Sequence, residues 1–464
     1  MDEHMDSVFD KKRFQKQLDI ITEASEIALK RINYISAHDD NVIRSIEIIE
    51  NFLRKKHRLC YGGQAINAHL PAKYKFYDPE TSIPDYDFFT PQQNNDIDII
   101  IKDLKKAGFT EISAREGMHE GTVKIYVNYV PVADLTAIDP KLYKILSKRE
   151  YKTDGISYLD ANILRMLMYL ELSRPQGEVT RWPKVFERLS LFNEFIPVKP
   201  CRIVNEPFKG ELNSKQLQFT INFVIKNKRI FAGADLLDFY NTSLRTKKLN
   251  TKWVFTTKKP IIFFSQESDN DAAILKSEFN VLSDKTINIK SYSSKVVELI
   301  PSMKIISQGK KPLVFIIDQV ACHSYFNIPI TNNKVMRIAS MDNLITLYFS
   351  LGIVDSKFFD MGSMECLANK LVDISVKSRN NPSSFPLPFI SIKCVGHQPS
   401  LPSLIREKIK RITQKKQQPK ELPKELRNTL NAINTVNTVN TINTINTINT
   451  IKNKRNKRNT IKLR

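Results

Sequence analysis

The chain has 464 residues, enough for two or three domains rather than one. It is 41% apolar and 26% charged, a globular balance, and carries a net charge of +22. No charge-free apolar run is long enough to cross a bilayer, and Met1-Asp-Glu-His-Met-Asp6 lacks the basic-then-apolar order of a secretory signal. The expectation is a protein kept inside a cell, with no membrane partner. In chain order, residues 8–37 carry Phe14, Leu18, Ile21 and Ile32 at helical spacing, and 40–56 repeat this with Val42, Ile46, Ile49 and Phe52. Asp39 and Asp40 are natural caps between the two. Tyr61-Gly62-Gly63 then opens a short helix, Gln64 to Leu70. A strand over 83–89 is followed by a loop and by a helix over 96–107, with Asp96 as its cap and Gly108 as its stop. Strands are expected near 109–114 and 122–136, then a helix through Ile163, Leu167 and Leu170 that ends near Pro175.

The second half echoes the first. Tyr61-Gly-Gly-Gln64 returns as Phe231-Ala-Gly-Ala234, and Pro84-Asp-Tyr-Asp-Phe-Phe-Thr90 as Pro260-Ile-Ile-Phe-Phe-Ser265. Pro131-Val-Ala-Asp-Leu135 is matched with Gln319-Val-Ala-Cys-His323, and Leu159-Asp160 with Met341-Asp342. Four echoes in one order imply an old duplication. On this alignment Asp85, Asp87 and Asp134 face Pro260, Ile262 and Cys322, so one copy keeps its acids and the other is a scaffold. Residues 428–451 are eight Asn-Thr/Ala-aliphatic triplets that fit neither a helix face nor a two-sided strand, so disorder is expected there. Residues 401–464 hold 16 Lys/Arg against 3 Glu, leaving +9 of the +22 for residues 1–400. The body is basic without its tail, which favours a polyanionic partner. The scattered Cys60, Cys201, Cys322, Cys366 and Cys394 read as free thiols of a reducing compartment, and Cys394 with His397 lacks the partners of a zinc site.

The chemistry-bearing pattern is Asp85-Tyr-Asp87. Alternate strand residues share a face, so the two carboxylates point one way and Tyr86 and Phe88 the other. Like charges so close call for a divalent cation between them. Asp134, in an apolar strand, must be held by a cation, either a shared metal or a basic neighbour. Gly62 and Gly63 would offer backbone N–H groups to phosphate at a helix start. Lys144 and Lys148, in a basic stretch after the third acid, are candidate phosphate contacts, and His119-Glu120 between two glycines reads as a hairpin tip.

These residues resemble the nucleotidyltransferase superfamily of DNA polymerase β, whose pattern is a Gly-Gly or Gly-Ser turn, an Asp-x-Asp strand and a separate acid. Cys60-Tyr-Gly-Gly-Gln-Ala-Ile-Asn67, Pro84-Asp-Tyr-Asp-Phe-Phe89 and Val132-Ala-Asp-Leu135 resemble more closely the poly(A) polymerase catalytic subunit of large DNA viruses, mimivirus-like more than poxvirus-like. Gln64 departs from the serine of many relatives. The resemblance implies an α+β fold of two tandem nucleotidyltransferase-like domains, each a small mixed sheet flanked by helices, the second degenerate. The expected division is N-terminal helices over 1–57, a catalytic domain over 58–190, a degenerate domain over 191–395, and a linker and disordered basic tail over 396–464. It implies template-independent addition of AMP from ATP to an RNA 3′ end, with Asp85, Asp87 and Asp134 holding two Mg²⁺ or Mn²⁺ ions and Gly62 and Gly63 positioning the triphosphate. A homodimer and residence in a virion or the host cytoplasm are implied by relatives alone. Uridylate or cytidylate addition, and a non-catalytic RNA-binding subunit, stand as alternatives.

Overall fold

The computed structural model describes residues 11–78, 80–203, 207–208, 210–249, 259–294, 299–330, 334–354 and 356–417. The chain divides into a compact unit, Met1–Lys408, and a second, Ile409–Arg464. The Asn-Thr-Ile repeat and its expected disorder lie outside the described residues. Helix α1 (Lys11–Ala37) buries none of its residues. Helix α2 (Asp40–Lys56) starts as expected on Asp39, whose carboxylate accepts from the Asn41 and Val42 amides, and it buries Val42, Ile46, Ile49, Phe52 and Leu53.

The first half continues with β1 (Leu59–Tyr61), α3 (Gly62–His69), β2 (Tyr86–Thr90), α4 (Gln93–Lys106), β3 (Ile112–Glu116), β4 (Thr122–Val127), β5 (Val130–Ala137), α5 (Pro140–Ser147), β6 (Tyr151–Thr153), β7 (Ile156–Tyr158), α6 (Ala161–Leu172) and α7 (Trp182–Phe195). Its sheet runs β3-β4-β5-β2-β1-β7-β6. The second half follows with α8 (Ser214–Lys226), β8 (Ile230–Phe231), α9 (Asp235–Thr246), β9 (Ile261–Ser265), α10 (Ser268–Val281), β10 (Ile287–Tyr292), β11 (Met303–Gln308), β12 (Lys311–Asp318), β13 (His323–Ile330), β14 (Lys334–Ala339), α11 (Met341–Leu351), α12 (Met361–Asn380), β15 (Cys394–Val395) and α13 (Leu401–Gln417). Its sheet runs β10-β11-β12-β9-β8-β14-β13-β15. Apart from β15 the two orders are the same, and the parallel pairs recur: β2 with β5 as β9 with β12, and β1 with β7 as β8 with β14. The fold is α+β, two mixed sheets flanked by helices.

A buried ion pair marks the equivalence residue by residue. Arg58 reaches Asp96 at 2.7 and 2.9 Å, and Thr90 donates to the same carboxylate. In the second half Arg229 reaches Asp271 at 2.8 Å and Ser265 donates to it at 2.6 Å. This corrects the reading of Asp96 as a helix cap: α4 begins after Gln92, and Asp96 is wholly buried a turn inside. The pairing also shifts the sequence echoes. Leu59 opposes Phe89 as Ile230 opposes Phe264, so Gly62 corresponds to Gly233 and Tyr61 to Ala232. Asp160 caps α6 as Ser340 caps α11, which moves that echo by two residues. Asp134 pairs with Asp87, and Phe315 pairs with Ile262, so Asp134 corresponds to Phe315 and not to Cys322.

Two further expectations change. The strand over 122–136 is a hairpin, turning at Asn128 (φ 48°) and Tyr129 (φ 68°), with a bulge after Ile125. The free-thiol reading fails for four cysteines: Cys201 is bonded to Cys366 and Cys322 to Cys394, while Cys60 is free and buried. Their partners lie 165 and 72 residues apart in sequence, so no local spacing announced them.

Candidate active site

Strand β2 sorts its side chains as the alternation requires. Tyr86 and Phe88 are buried toward α2, where the Tyr86 hydroxyl donates to Glu50 at 2.7 Å and the Phe88 ring lies 5.9 Å from Phe52. Asp87 points to the opposite face and is flanked in register by Tyr61 on β1 and Asp134 on β5. Asp85, just before the strand and two residues from Asp87, is near enough to Asp134 to feel its charge. Two acids on adjacent strands, and a third just before β2, therefore gather in one place.

The Asp134 side chain is only 9% exposed. One oxygen accepts from the Lys124 ammonium, its cross-strand neighbour on β4, and the other, Oδ1, is buried with no hydrogen-bond partner. The basic neighbour weighed from the sequence is thus present, and it satisfies half of the carboxylate. Burial first, then the Asp85 and Asp134 charges, push the Asp87 carboxyl up to about 7, against the opposing pull of Lys124 and Arg181. Asp85 is an exposed residue, yet crowding of its carboxyl by the protein, then the Asp134 charge, raise it while Lys124 lowers it. Burial alone would lower the Lys124 ammonium, but Asp134 and the two other acids raise it on balance.

The glycine turn is pressed against these acids. Gly62 has φ 71°, and a Cβ there would collide with the Asp87 carboxylate. A Cβ on Gly63 would strike the Tyr77 hydroxyl and come within 3.0 Å of Arg188 Nη1. The turn opens α3, whose first N–H groups receive no side-chain cap. Arg188, on α7, donates to the Tyr77 hydroxyl at 3.0 Å and stacks over Phe76 at 4.5 Å. Lys184 is lowered by the charge of Arg188, then by burial and by Arg181, so these three cations crowd one another. They recur at spacings of three and four along a helix entered through Pro183, a signal that sequence reasoning passed over.

Lys144 and Lys148 stand differently. Tyr143, next to Lys144, donates to the His57 carbonyl at 2.9 Å, beyond the end of β1 away from Gly62. Arg149, next to Lys148, is committed to Asp160 and Glu365 at 3.2 and 2.7 Å. The basic groups acting on Asp87 are Lys124 and Arg181 rather than these lysines. His119 and Glu120 form the tip between β3 and β4, as expected.

Among the described residues no three acidic, histidine or cysteine side chains are drawn together tightly enough to ligate one ion as they stand. The donor set nevertheless suits hard divalent cations: three neighbouring carboxylates, two of them raised by burial and then by nearby acid charge, and a buried oxygen with no hydrogen-bond partner.

Residues 47–178 match the model of the poly(A) polymerase catalytic subunit family. The matched segment contains the glycine turn and all three acids. The chain is 28% identical over 179 residues to a protein of African swine fever virus (strain Badajoz 1971 Vero-adapted), named as a candidate poly(A) polymerase catalytic subunit. It is 28% identical over 239 residues to a protein of the same description from Acanthamoeba polyphaga mimivirus. These alignments cover 37% and 49% of this chain and only 38% and 39% of the curated relatives. The crystal structure of the Megavirus polyadenylate synthase superposes with a TM-score of 0.70 over 92% of this chain and 90% of the other, at 17% identity. That likeness extends the shared fold through the second half.

Proposed function

We propose that the chain is a template-independent polynucleotide adenylyltransferase that adds AMP from ATP to RNA 3′ ends. The observation that carries this is the placement of Asp87 and Asp134 side by side, with Asp85 close by and the glycine turn against them. In the reaction the primer 3′-hydroxyl oxygen attacks the α-phosphorus of the nucleotide, and the bond to the departing pyrophosphate breaks opposite it. Asp85, Asp87 and Asp134 would hold two Mg²⁺ or Mn²⁺ ions, which when bound would supply the Lewis acidity this displacement needs. Gly62 and Gly63 bring uncapped amides to the triphosphate, and Arg181, Lys184 and Arg188 are better placed than Lys144 and Lys148 to neutralise it. Choice of adenine over uracil or cytosine is part of this reading and depends on the base pocket.

A non-catalytic RNA-binding subunit is disfavoured by the contrast between copies. Where the first half has Asp85, Asp87 and Asp134, the second has Pro260, Ile262 and Phe315, so acids were dispensable to the scaffold. A homodimer is also part of the reading. Helix α1 exposes Phe14, Leu18 and Ile21, then Ile32 and Ile35, on a seam of four- and three-residue steps that passes through Ser25 and Ala28, and it buries nothing, a pattern that suits a second helix. The viral origin of the relatives supports reading an infected cell or virion as the place of work. No helix among the described residues is long and apolar enough to cross a membrane.

The test is extension of a labelled RNA primer with each nucleotide separately, in Mg²⁺ or Mn²⁺, beside Asp87→Ala. ATP-dependent extension lost in the variant supports the reading. Extension that survives Asp87→Ala overturns it.

A further inference from the structure

On the polymerase reading the triphosphate takes one side of the site and the other side is open to the primer. The acids lie on β2 and β5, and the phosphate-binding turn follows β1, on one flank in the sheet order. On that same flank Arg188 of α7 stands against Gly63, and Arg181, just before α7, acts on Asp87. In an in-line displacement the attacking oxygen arrives opposite the leaving group. On that reading the flank open to the strand carrying the 3′-hydroxyl is the one formed by β4 and β3.

The side chains there suit a single-stranded nucleic acid. Lys124 opposes Arg115 and Tyr126 opposes Ser113, so these four share the face of Asp134. Ile125 and Val127 turn to the other face and are buried there, and Glu116, paired with Val123, turns away with them. The acid face of this edge is left with cations and one ring. Arg115 is exposed, and its guanidinium lies 5.1 Å from the centre of the half-buried Tyr126 ring. Its Nε also donates to Ser113 at 3.2 Å, which ties the arginine over the aromatic plane. The hairpin then runs three residues past the start of the β2 pairing, to Asn128 and a Tyr129 that is 75% exposed.

We propose that the face of β3 and β4 beside Asp134 seats the last nucleotides of the RNA primer. Arg115 meets the phosphodiester backbone, and Tyr126, with the exposed Tyr129 beyond it, offers a ring to an unpaired base. The proposal rests on the polymerase reading for the direction of the primer, while binding itself needs no catalysis.

The experiment uses the full chain with 5′-fluorescein-labelled oligo(A) RNA and no nucleotide. Anisotropy should show the Arg115→Ala/Tyr126→Ala double variant binding about ten-fold or more weakly, the loss of one stacked base and one phosphate contact. Its primer KM should rise by a similar factor while its ATP KM moves less than about two-fold, since the triphosphate flank is untouched. In the wild type, a 4-thiouridine at the primer 3′ terminus should photocrosslink to peptides from residues 112–130, a readout that does not depend on the variant folding. Equal RNA affinity in a folded double variant, or crosslinks confined to α7 and the second half, would overturn the proposal. A wild-type chain that binds and crosslinks in this way yet extends no primer would instead defeat the polymerase reading.

Discussion

The two sheets are one topology put to two uses. Both keep the buried arginine–aspartate pair with its helping hydroxyl, Arg58, Asp96 and Thr90 in one and Arg229, Asp271 and Ser265 in the other. They differ where β2 and β5 meet. Asp87 and Asp134 sit there in the first half, while in the second Ile262 and Phe315 are buried, with Phe208 and Phe359 rings 5.2 and 6.1 Å from Phe315. A pair of carboxylates side by side is a cost to a folded sheet unless a cation repays it. That one copy carries them where the other packs apolar groups supports the proposal that chemistry rather than stability governs there.

The comparison can be broken most sharply by substitution at matched positions. Asp87→Ala should lower primer extension on the order of a thousand-fold or more, the scale of losing a group that stabilises transition-state charge. Ile262→Ala, its counterpart, should leave the rate of the folded protein unchanged. Phe315→Ala should do the reverse, costing about 3–5 kcal/mol in denaturant unfolding because it opens a cavity, with little effect on extension below the melt. Gly62→Ala should reduce kcat about a hundred-fold, since the added methyl displaces the Asp87 carboxylate, and a displacement near 1 Å is enough for that loss.

The smallest effect is in pH. Asp87 is raised from the ordinary carboxylate range to about 7, so between those values the folded, metal-free protein binds more protons than the unfolded chain. Its stability should then fall as pH rises from about 4 to about 7, the opposite of a salt-bridged carboxylate. Thermal melts of the metal-free protein should show that fall, and Asp87→Asn should flatten it. A melt that rises across the window in the wild type would contradict the crowding of the acids.

Much of this was legible in advance because it is local. The alternation of Asp85, Tyr86, Asp87 and Phe88 assigns faces without any knowledge of the fold, and Gly62-Gly63 announces a turn by its composition. What escaped depends on pairing across distance. Asp96 looked like a cap because its partner, Arg58, lies across β1 and β2. The turn at Asn128-Tyr129 carries no glycine, so two strands read as one and Lys124 was not seen opposite Asp134. Motif resemblance points to Gln319–His323 for the third acid's counterpart, whereas strand register puts it at Phe315, in an apolar run with no motif. Lys144 and Lys148 are near Asp134 in sequence only, since α5 is anchored through Tyr143 to the far end of β1. The cations that crowd the glycine turn come from α7 and the residue just before it.

The proposed active site requires Asp85, Asp87 and Asp134 to hold the divalent cations together. Titration of Mn²⁺ into the full-length protein with a non-hydrolysable ATP analogue, followed by the loss of free-ion electron paramagnetic resonance signal, reads it directly. The account predicts two bound ions in the wild type and in Ile262→Ala, with binding lost in Asp87→Asn and weakened in Asp134→Asn. Undiminished binding in folded Asp87→Asn would contradict it.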